Sequence, residues 1–384
     1  MLPMLFTLIY LTSLLVVAFA IPPIITVSLK KRLFDDPNES RKIHKRIIPN
    51  FGGVAIFTGF LFSCSIFIPS HILPEANVLM GAGLVLFMIG LKDDIIGLGP
   101  GIKFAAQFAS AFIVAMVANI RITDLHGVFG VYDLPYYASI TLTVFFIVGI
   151  VNAFNLIDGI DGLAGSIGLI LCVAFGVLFY KSGDLGWAYL ATALAGALLG
   201  FLFFNVTPAR IFMGDSGSLL LGFIAAVLSI KFMTISLTEN ILAGPFVVTS
   251  GMGLVSAILI IPVFDTLRVF TLRIMRGTSP FTADSNHIHH RLLSLGLSHV
   301  QATLVLASVN VVFIITALSL QSIGDAQLIS LLMLLMLSLN GILSLSINIL
   351  RKKAQLASTS PEVAKIAKSE KSFADRVLEK ISEN

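Results

Sequence analysis

The chain has 384 residues, of which 57% are hydrophobic and only 12% charged, with a net charge of +4 and a mean hydropathy of +0.97. Average soluble domains carry about a quarter charged residues, so a water-soluble globular protein is excluded, and no basic stripe points to nucleic acid. The composition predicts an all-α, polytopic membrane protein that sits in a lipid bilayer.

Apolar runs of about 17 to 22 residues, broken by polar or Gly/Pro segments, predict eleven spans. They lie near 4–28, 50–69, 78–91, 102–118, 136–153, 163–180, 187–204, 217–235, 245–268, 300–320 and 328–350, the third being short. The first could pass for a signal peptide because Ala18-Phe19-Ala20 resembles a cleavage site. No Lys or Arg precedes Lys30, however, and the apolar stretch runs past that site, so a retained span is expected. Cys64 and Cys172 both fall inside apolar runs and behave as small buried hydrophobes. In the ninth span Pro262 removes one helix hydrogen bond and predicts a kink, opening a groove for a lipid tail beside Asp265. The expected organisation is a transmembrane catalytic region over 1–350 and a charged tail over 351–384. There, Val363, Ile366, Phe373, Val377 and Ile381 recur at helical spacing and suggest a short amphipathic helix.

Cationic residues favour the inward side of a bacterial membrane. With the N-terminus outside and the C-terminus inside, 22 of the 25 Lys and Arg residues fall on inward segments, leaving Arg121, Lys181 and Lys231 toward the outside. This orientation brings every polar island to the inward face, although the acids, amides and histidines in them played no part in setting it.

Those islands follow in chain order. The loop from Asp35 to Gly53 contains Arg41, Lys42 and His44 and ends Pro49-Asn50-Phe51-Gly52-Gly53. Asp93-Asp94 sets two adjacent carboxylates at the end of the third span, where they need a cation, a shared proton or water. In Asn155-Leu156-Ile157-Asp158-Gly159-Ile160-Asp161 the polar residues recur every third position, so on a helical turn they would share one face. Phe212-Met213-Gly214-Asp215-Ser216-Gly217-Ser218 opens the eighth span with an acid and hydroxyls at a helix N-terminus, where anions and metal–phosphate pairs are favoured. Four of the seven histidines lie between His287 and His299. His287-Ile288-His289-His290-Arg291 lacks the spacing of helical zinc motifs and, with Arg268, Arg273 and Arg276 upstream, suits phosphates better. Acids for a divalent cation, cations for phosphates and an aromatic at headgroup depth predict two substrates, a soluble phosphorylated compound and a lipid phosphate.

Over roughly residues 30 to 295 these motifs, in this order, resemble the polyprenyl-phosphate N-acetylhexosamine-1-phosphate transferases. The shared residues are Arg41-Lys42-x-His44 with Gly52-Gly53, Asp93-Asp94, Asn152 to Gly162, Phe212 to Ser218, and Asn286 to Arg291. The resemblance implies an eleven-span enzyme of the bacterial cytoplasmic membrane that uses Mg2+, with Mn2+ as a substitute. It would move a sugar-1-phosphate from a UDP-sugar to undecaprenyl phosphate and release UMP, and a homodimer is a possible assembly. It further implies Asp215 and Asp94 as metal ligands, and Asp93, Asp94, His287, His289 and His290 as catalytic residues. Asn155, Asp158, Asp161, Phe212, Lys103, His44 and Arg291 would bind substrate. Ile288 interrupts the three consecutive histidines of the peptidoglycan-precursor branch, so the last loop is similar to the branch that transfers N-acetylglucosamine-1-phosphate or a related sugar phosphate. Gly97 replaces a third Asp found in some members.

In such a reaction an oxygen of the lipid phosphate attacks the β-phosphorus of the UDP-sugar. A phosphate monoester has a second pKa near 6 and an Asp starts near 3.9, so the nucleophile is already largely deprotonated at neutral pH. Positioning or metal ligation by Asp93 therefore weighs as much as proton abstraction. Among rivals, an ion-coupled transporter would carry its acids near the bilayer midplane. A CDP-alcohol phosphatidyltransferase would need Asp-Gly-x-x-Ala-Arg, where this chain has Asp158-Gly159-Ile160-Asp161-Gly162-Leu163.

Overall fold

The computed structural model describes residues 2–32, 48–239, 241–243, 245–279 and 286–358. His44, most of its loop and the amphipathic segment expected after Pro361 lie outside the described residues. Among the described residues thirteen α-helices follow one another: α1 (Leu2–Lys31), α2 (Gly52–Phe67), α3 (Ala76–Ile96), α4 (Pro100–Met116), α5 (Tyr136–Ile157), α6 (Leu163–Lys181), α7 (Leu185–Asn205), α8 (Gly214–Ile235), α9 (Gly251–Ile258), α10 (Ile260–Met275), α11 (Ile288–Ser294), α12 (His299–Ser319) and α13 (Asp325–Ser358). Seven of them are long and apolar enough to cross a membrane, an eighth crossing results if α9 and α10 form one bent span, and α2 and α4 are shorter apolar helices. The all-α expectation is modified by one small hairpin, β1 (Ile241–Ala243) and β2 (Phe246–Val248), whose antiparallel register pairs Leu242 with Val247. It occupies the stretch where the ninth span was expected to begin.

The most enclosed element is α8. Of its apolar window 83% is buried, against 17% for α13, so α8 is the axis of the bundle and α13 a peripheral helix. Around it pack α5, α3 and α2, while α1 and α6 pack on α7. Gly196 and Gly200, one helical turn apart on α7, let α1 approach backbone to backbone; added Cβ atoms would lie 2.3 Å from the Tyr10 carbonyl oxygen and 2.7 Å from that of Leu14. Lipid gives no hydrophobic drive for helix pairing, so such small-residue seams replace it with close van der Waals contact. The buried Ser63 hydroxyl donates to the Ile9 carbonyl at 2.8 Å, fixing α1 against α2 as well. The first span is thus an integral part of the bundle.

The kink expected at Pro262 is present but displaced. The axes of α9 and α10 differ by 74°, and the break lies at Leu259, where ψ is 5°. Pro262, lacking an N–H, cannot bond the Ile258 carbonyl one turn earlier. The freed oxygens are taken by Asn310 of α12, whose buried Nδ2 donates to Ala257 O at 3.1 Å and Ile258 O at 3.2 Å. A broken helix inside a membrane is tolerated when a neighbour satisfies its backbone in this way.

Replacing Asn310 with Leu keeps the branched four-atom shape and removes the donor. An unsatisfied buried carbonyl costs about 1–3 kcal/mol, so Asn310→Leu is expected to lower the thermal midpoint of the detergent-solubilised protein by several degrees. An unchanged midpoint would show that the break does not depend on this side chain.

Candidate functional site

At one end of the bundle the C-terminal turns of α3 and α5 meet the N-termini of α4 and α8. The longer reach of α3 places Asp93 and Asp94 inside its last turn rather than beyond the span. Their side chains diverge. Asp94 caps α8, its Oδ1 accepting the Asp215 N–H at 2.7 Å and its Oδ2 the Ser216 N–H at 3.0 Å. Two of the four orphan donors at that helix start are satisfied by one carboxylate, which also meets the positive end of the helix dipole.

Asp93 turns the other way. Its Oδ1 accepts the Leu98 N–H at 2.7 Å and its Oδ2 lies 2.6 Å from Lys103 Nζ. The same ammonium sits 2.6 Å from Asp215 Oδ2, so one cation bridges two partly buried carboxylates from different helices. Asn155, on the last turn of α5, donates from Nδ2 to Asp215 Oδ1 at 3.0 Å and to Ser218 Oγ at 2.9 Å. Asp215 is therefore the junction where α3, α4, α5 and α8 are tied together. The segment before α2 joins them through its backbone. Phe212 donates its N–H to Pro49 O, and Gly52 and Gly53 donate theirs to Phe212 O and Met213 O, at 2.8–2.9 Å. The backbone carrying Phe212 is thereby fixed at the rim, with its ring half-buried.

The three-residue spacing of Asn155, Asp158 and Asp161 does not place them on one face. Helix α5 ends at Ile157, and Asp158 has left helical geometry with ψ at 50°. Asp158 remains near the cluster: burial pushes its pKa up to about 7, and the carboxylates of Asp215 and Asp94 push in the same direction. A carboxyl that retains a proton near neutrality can donate a hydrogen bond to a phosphate or sugar oxygen. Asp161 instead faces the α7–α8 connection. Its Oδ2 accepts from Thr207 Oγ1 at 2.9 Å, its Oδ1 lies 3.2 Å from His299 Nδ1, and its own carbonyl accepts from Thr303 Oγ1 at 2.9 Å. This correction has a simple cause, since the i, i+3 rule holds only while the chain is helical.

The histidine motif forms the short helix α11, anchored by a residue to which sequence reasoning gave no role at this site. Buried Asp265 of α10 accepts the Ile288 N–H at 2.9 Å and pairs with His287 Nδ1 at 2.9 Å. The signal for it was the acid inside an apolar run. His289 packs on the Asp158-Gly159 turn so closely that a Cβ at Gly159 would lie 2.3 Å from its Nε2. Burial, followed by the neighbouring charge of His290, lowers the His289 pKa to about 3. Arg291 points away from the carboxylates toward α13, donating to Asn340 Oδ1 and, at 2.6 Å, to Ser344 Oγ. Among the described residues no three His, Cys, Asp or Glu side chains form a preassembled metal cage. The donors that converge on Lys103 are hard oxygens, the kind Mg2+ prefers.

The family model "Glycosyl transferase family 4" matches residues 76–233, which span α3 to α8 and so carry most of this cluster. The chain is 32% identical over 317 residues, 82% of its own length and 84% of the relative's, to a Bacillus subtilis protein named "Probable undecaprenyl-phosphate N-acetylglucosaminyl 1-phosphate transferase". It is 35% identical to a Mycobacterium tuberculosis "Decaprenyl-phosphate N-acetylglucosaminephosphotransferase", covering 77% of this chain and 78% of that one. An Escherichia coli O157:H7 "Undecaprenyl-phosphate alpha-N-acetylglucosaminyl 1-phosphate transferase" is 29% identical, covering 72% and 73%.

Two outcomes test the geometry. Lys103→Met leaves Asp93 and Asp215 facing each other without their cation, a loss on the order of 3 kcal/mol for a partly buried pair. A fall in thermal midpoint is expected, partly reversed by adding Asp215→Asn; independent, additive effects would contradict the bridge. His289 titrates below the ordinary histidine value of about 6.5, so the folded state binds fewer protons than the unfolded state at mildly acidic pH. Its contribution is full above pH 6.5 and is lost as pH falls from there toward 3. His289→Phe should flatten that part of the pH–stability profile, measured by thermal melts; an unaltered slope would show that His289 is not held neutral.

Proposed function

The chain belongs to glycosyl transferase family 4, and from that membership we propose that it transfers N-acetylglucosamine-1-phosphate from UDP-N-acetylglucosamine to undecaprenyl phosphate, releasing UMP. The observation that carries this reading is the convergence of Asp93, Lys103, Asn155 and Asp215 at one end of the bundle. The names of the relatives support N-acetylglucosamine as the sugar and a polyprenyl phosphate as the acceptor. Another UDP-N-acetylhexosamine remains the runner-up donor. The transporter alternative is not favoured, because these acids are at helix ends rather than at mid-bilayer.

The same proposal keeps eleven crossings, obtained by adding α2, α3, α4 and the bent α9–α10 pair to the seven long helices. The distribution of Lys and Arg, 22 of 25 on one set of loops, supports placing the carboxylate end on the cytoplasmic face of a bacterial inner membrane.

For the metal, we assign Mg2+ to Asp215; Asp94 supports it by holding the first turn of α8. Bound there, Mg2+ would offset charge on the diphosphate of the donor. The chain's own contribution is mainly electrostatic. Lys103, relieved of one carboxylate, can meet a phosphate oxygen. Asn155 keeps Asp215 oriented, and Asp158 can give a hydrogen bond to a bridging or sugar oxygen. An acceptor phosphate that is already deprotonated needs orientation more than a base, so Asp93 serves as a positioning group that keeps Lys103 in place. His287, fixed by Asp265, closes the site from above with α11.

The deciding experiment incubates purified protein with Mg2+, undecaprenyl phosphate and a panel of UDP-sugars and measures UMP. UDP-N-acetylglucosamine is expected to give the fastest release, and Asp215→Asn to reduce it by at least about 10²-fold, as loss of a charge-stabilising group does, in protein that still melts cooperatively. Absence of UMP with every donor, or normal turnover by a folded Asp215→Asn, would overturn the assignment.

A further inference from the structure

On the side of α11 away from the carboxylates lies a second polar cavity of about 670 Å³, between the C-terminal halves of α10 and α13. Four arginines line it: Arg268 from α10, Arg276 at the C-cap of α10, Arg291 from α11 and Arg351 from α13, with Leu272 and Ile347 supplying apolar wall. Arg268 and Arg291 are half-buried on its floor, whereas Arg276 and Arg351 are exposed at its mouth. The two faces of α11 are thus divided, His289 covering the Asp158-Gly159 turn and Arg291 turning to α13.

The positive-inside tendency explains why arginines occur at this depth, but not why four of them from three helices border one cavity. Like charges repel, and the crowding is felt: burial first, then the guanidinium groups of Arg268 and Arg351, lower the Arg291 pKa, while Asp265 opposes them. Asp265 is engaged by His287 and the Ile288 N–H, and the four guanidinium groups border one space. Such a cluster is stabilised by an anion with several oxygens, and guanidinium forks match phosphate in particular. The flanks say what carries that phosphate. Beside the arginines, Leu267, Ile274 and Met275 of α10 and Leu345, Ile349 and Leu350 of α13 are exposed apolar side chains facing outward from the bundle. Basic pockets between membrane helices with apolar flanks are suited to lipid headgroups.

We infer that the α10–α11–α13 cavity is a binding site for the phosphate of an anionic membrane phospholipid, separate from the carboxylate cluster. Its headgroup sits among Arg268, Arg276, Arg291 and Arg351, and its chains lie along the exposed faces of α10 and α13. An occupant there ties α13, otherwise a peripheral helix, to the helix that carries the histidines.

The test needs no turnover, so it is independent of the proposed reaction. The full chain in neutral detergent is titrated with dihexanoyl phosphatidylglycerol, dihexanoyl phosphatidylcholine or inorganic phosphate, and the thermal midpoint is followed. The phosphatidylglycerol series is expected to raise the midpoint saturably and the phosphatidylcholine series to leave it unchanged. In the double variant Arg276→Gln/Arg351→Gln the apparent affinity for phosphatidylglycerol should weaken about tenfold or more. Equal responses to both lipids, or an undiminished response in the double variant, would overturn the site. A full response to inorganic phosphate alone would overturn the lipid as its source. If the double variant does not fold, the preference of the unaltered protein for phosphatidylglycerol over phosphatidylcholine decides the question alone.

Discussion

The bridge from Asp93 through Lys103 to Asp215 is the interaction on which the rest of the site depends. Two carboxylates at the edge of a bilayer repel each other, and in a partly buried setting that repulsion is weakly screened. One ammonium at 2.6 Å from each converts the repulsion into a link between α3, α4 and α8. Asp94 can then cap α8 because Asp93 has been drawn the other way. The adjacent pair is therefore a division of labour, one acid for a side-chain cation and one for a helix start.

From this junction the architecture follows outward. Asn155 brings in α5, and the Phe212 and Met213 carbonyls bring in α2. The short α11 is then laid on the Asp158-Gly159 turn by His289 and held from behind by Asp265. Each of these links is a hydrogen bond or close contact between helix ends. The polar residues cost little because they satisfy backbone groups that helix termini would otherwise leave open.

Much of this was legible in the sequence, because hydrophobic length and isolated polar motifs are strong signals in a membrane protein. Asp93, Asp94, Lys103, Asn155, Asp158 and Asp215 stand out as polar residues in or between apolar runs, and the structure brings them together. Asp161 illustrates the limit: its motif spacing was informative, but the direction of its side chain depended on where α5 stops. The displaced kink has the same origin. Pro262 identifies a missing donor, whereas the position of the break is set by which carbonyls Asn310 can reach from α12. The β1–β2 hairpin was hidden because its residues are as apolar as a span. Asp265 carried a visible signal, an acid within an apolar helix, yet its partners lie more than twenty residues away and no local pattern names them.

The seam between α1 and the glycines of α7 has a consequence for how the protein is made. The residues in contact lie 186 positions apart along the chain, Tyr10 with Gly196 and Leu14 with Gly200, and ribosomes add roughly 5–20 residues per second. The first helix consequently waits about 10 to 40 seconds in the membrane before its α7 surface is synthesised. During that interval it must be stable with little more than α2 beside it, which its nearly uncharged sequence allows. Its place against α7 is then settled by shape, when Gly196 and Gly200 arrive and admit its backbone, adding to the Ser63 hydrogen bond that already holds it to α2.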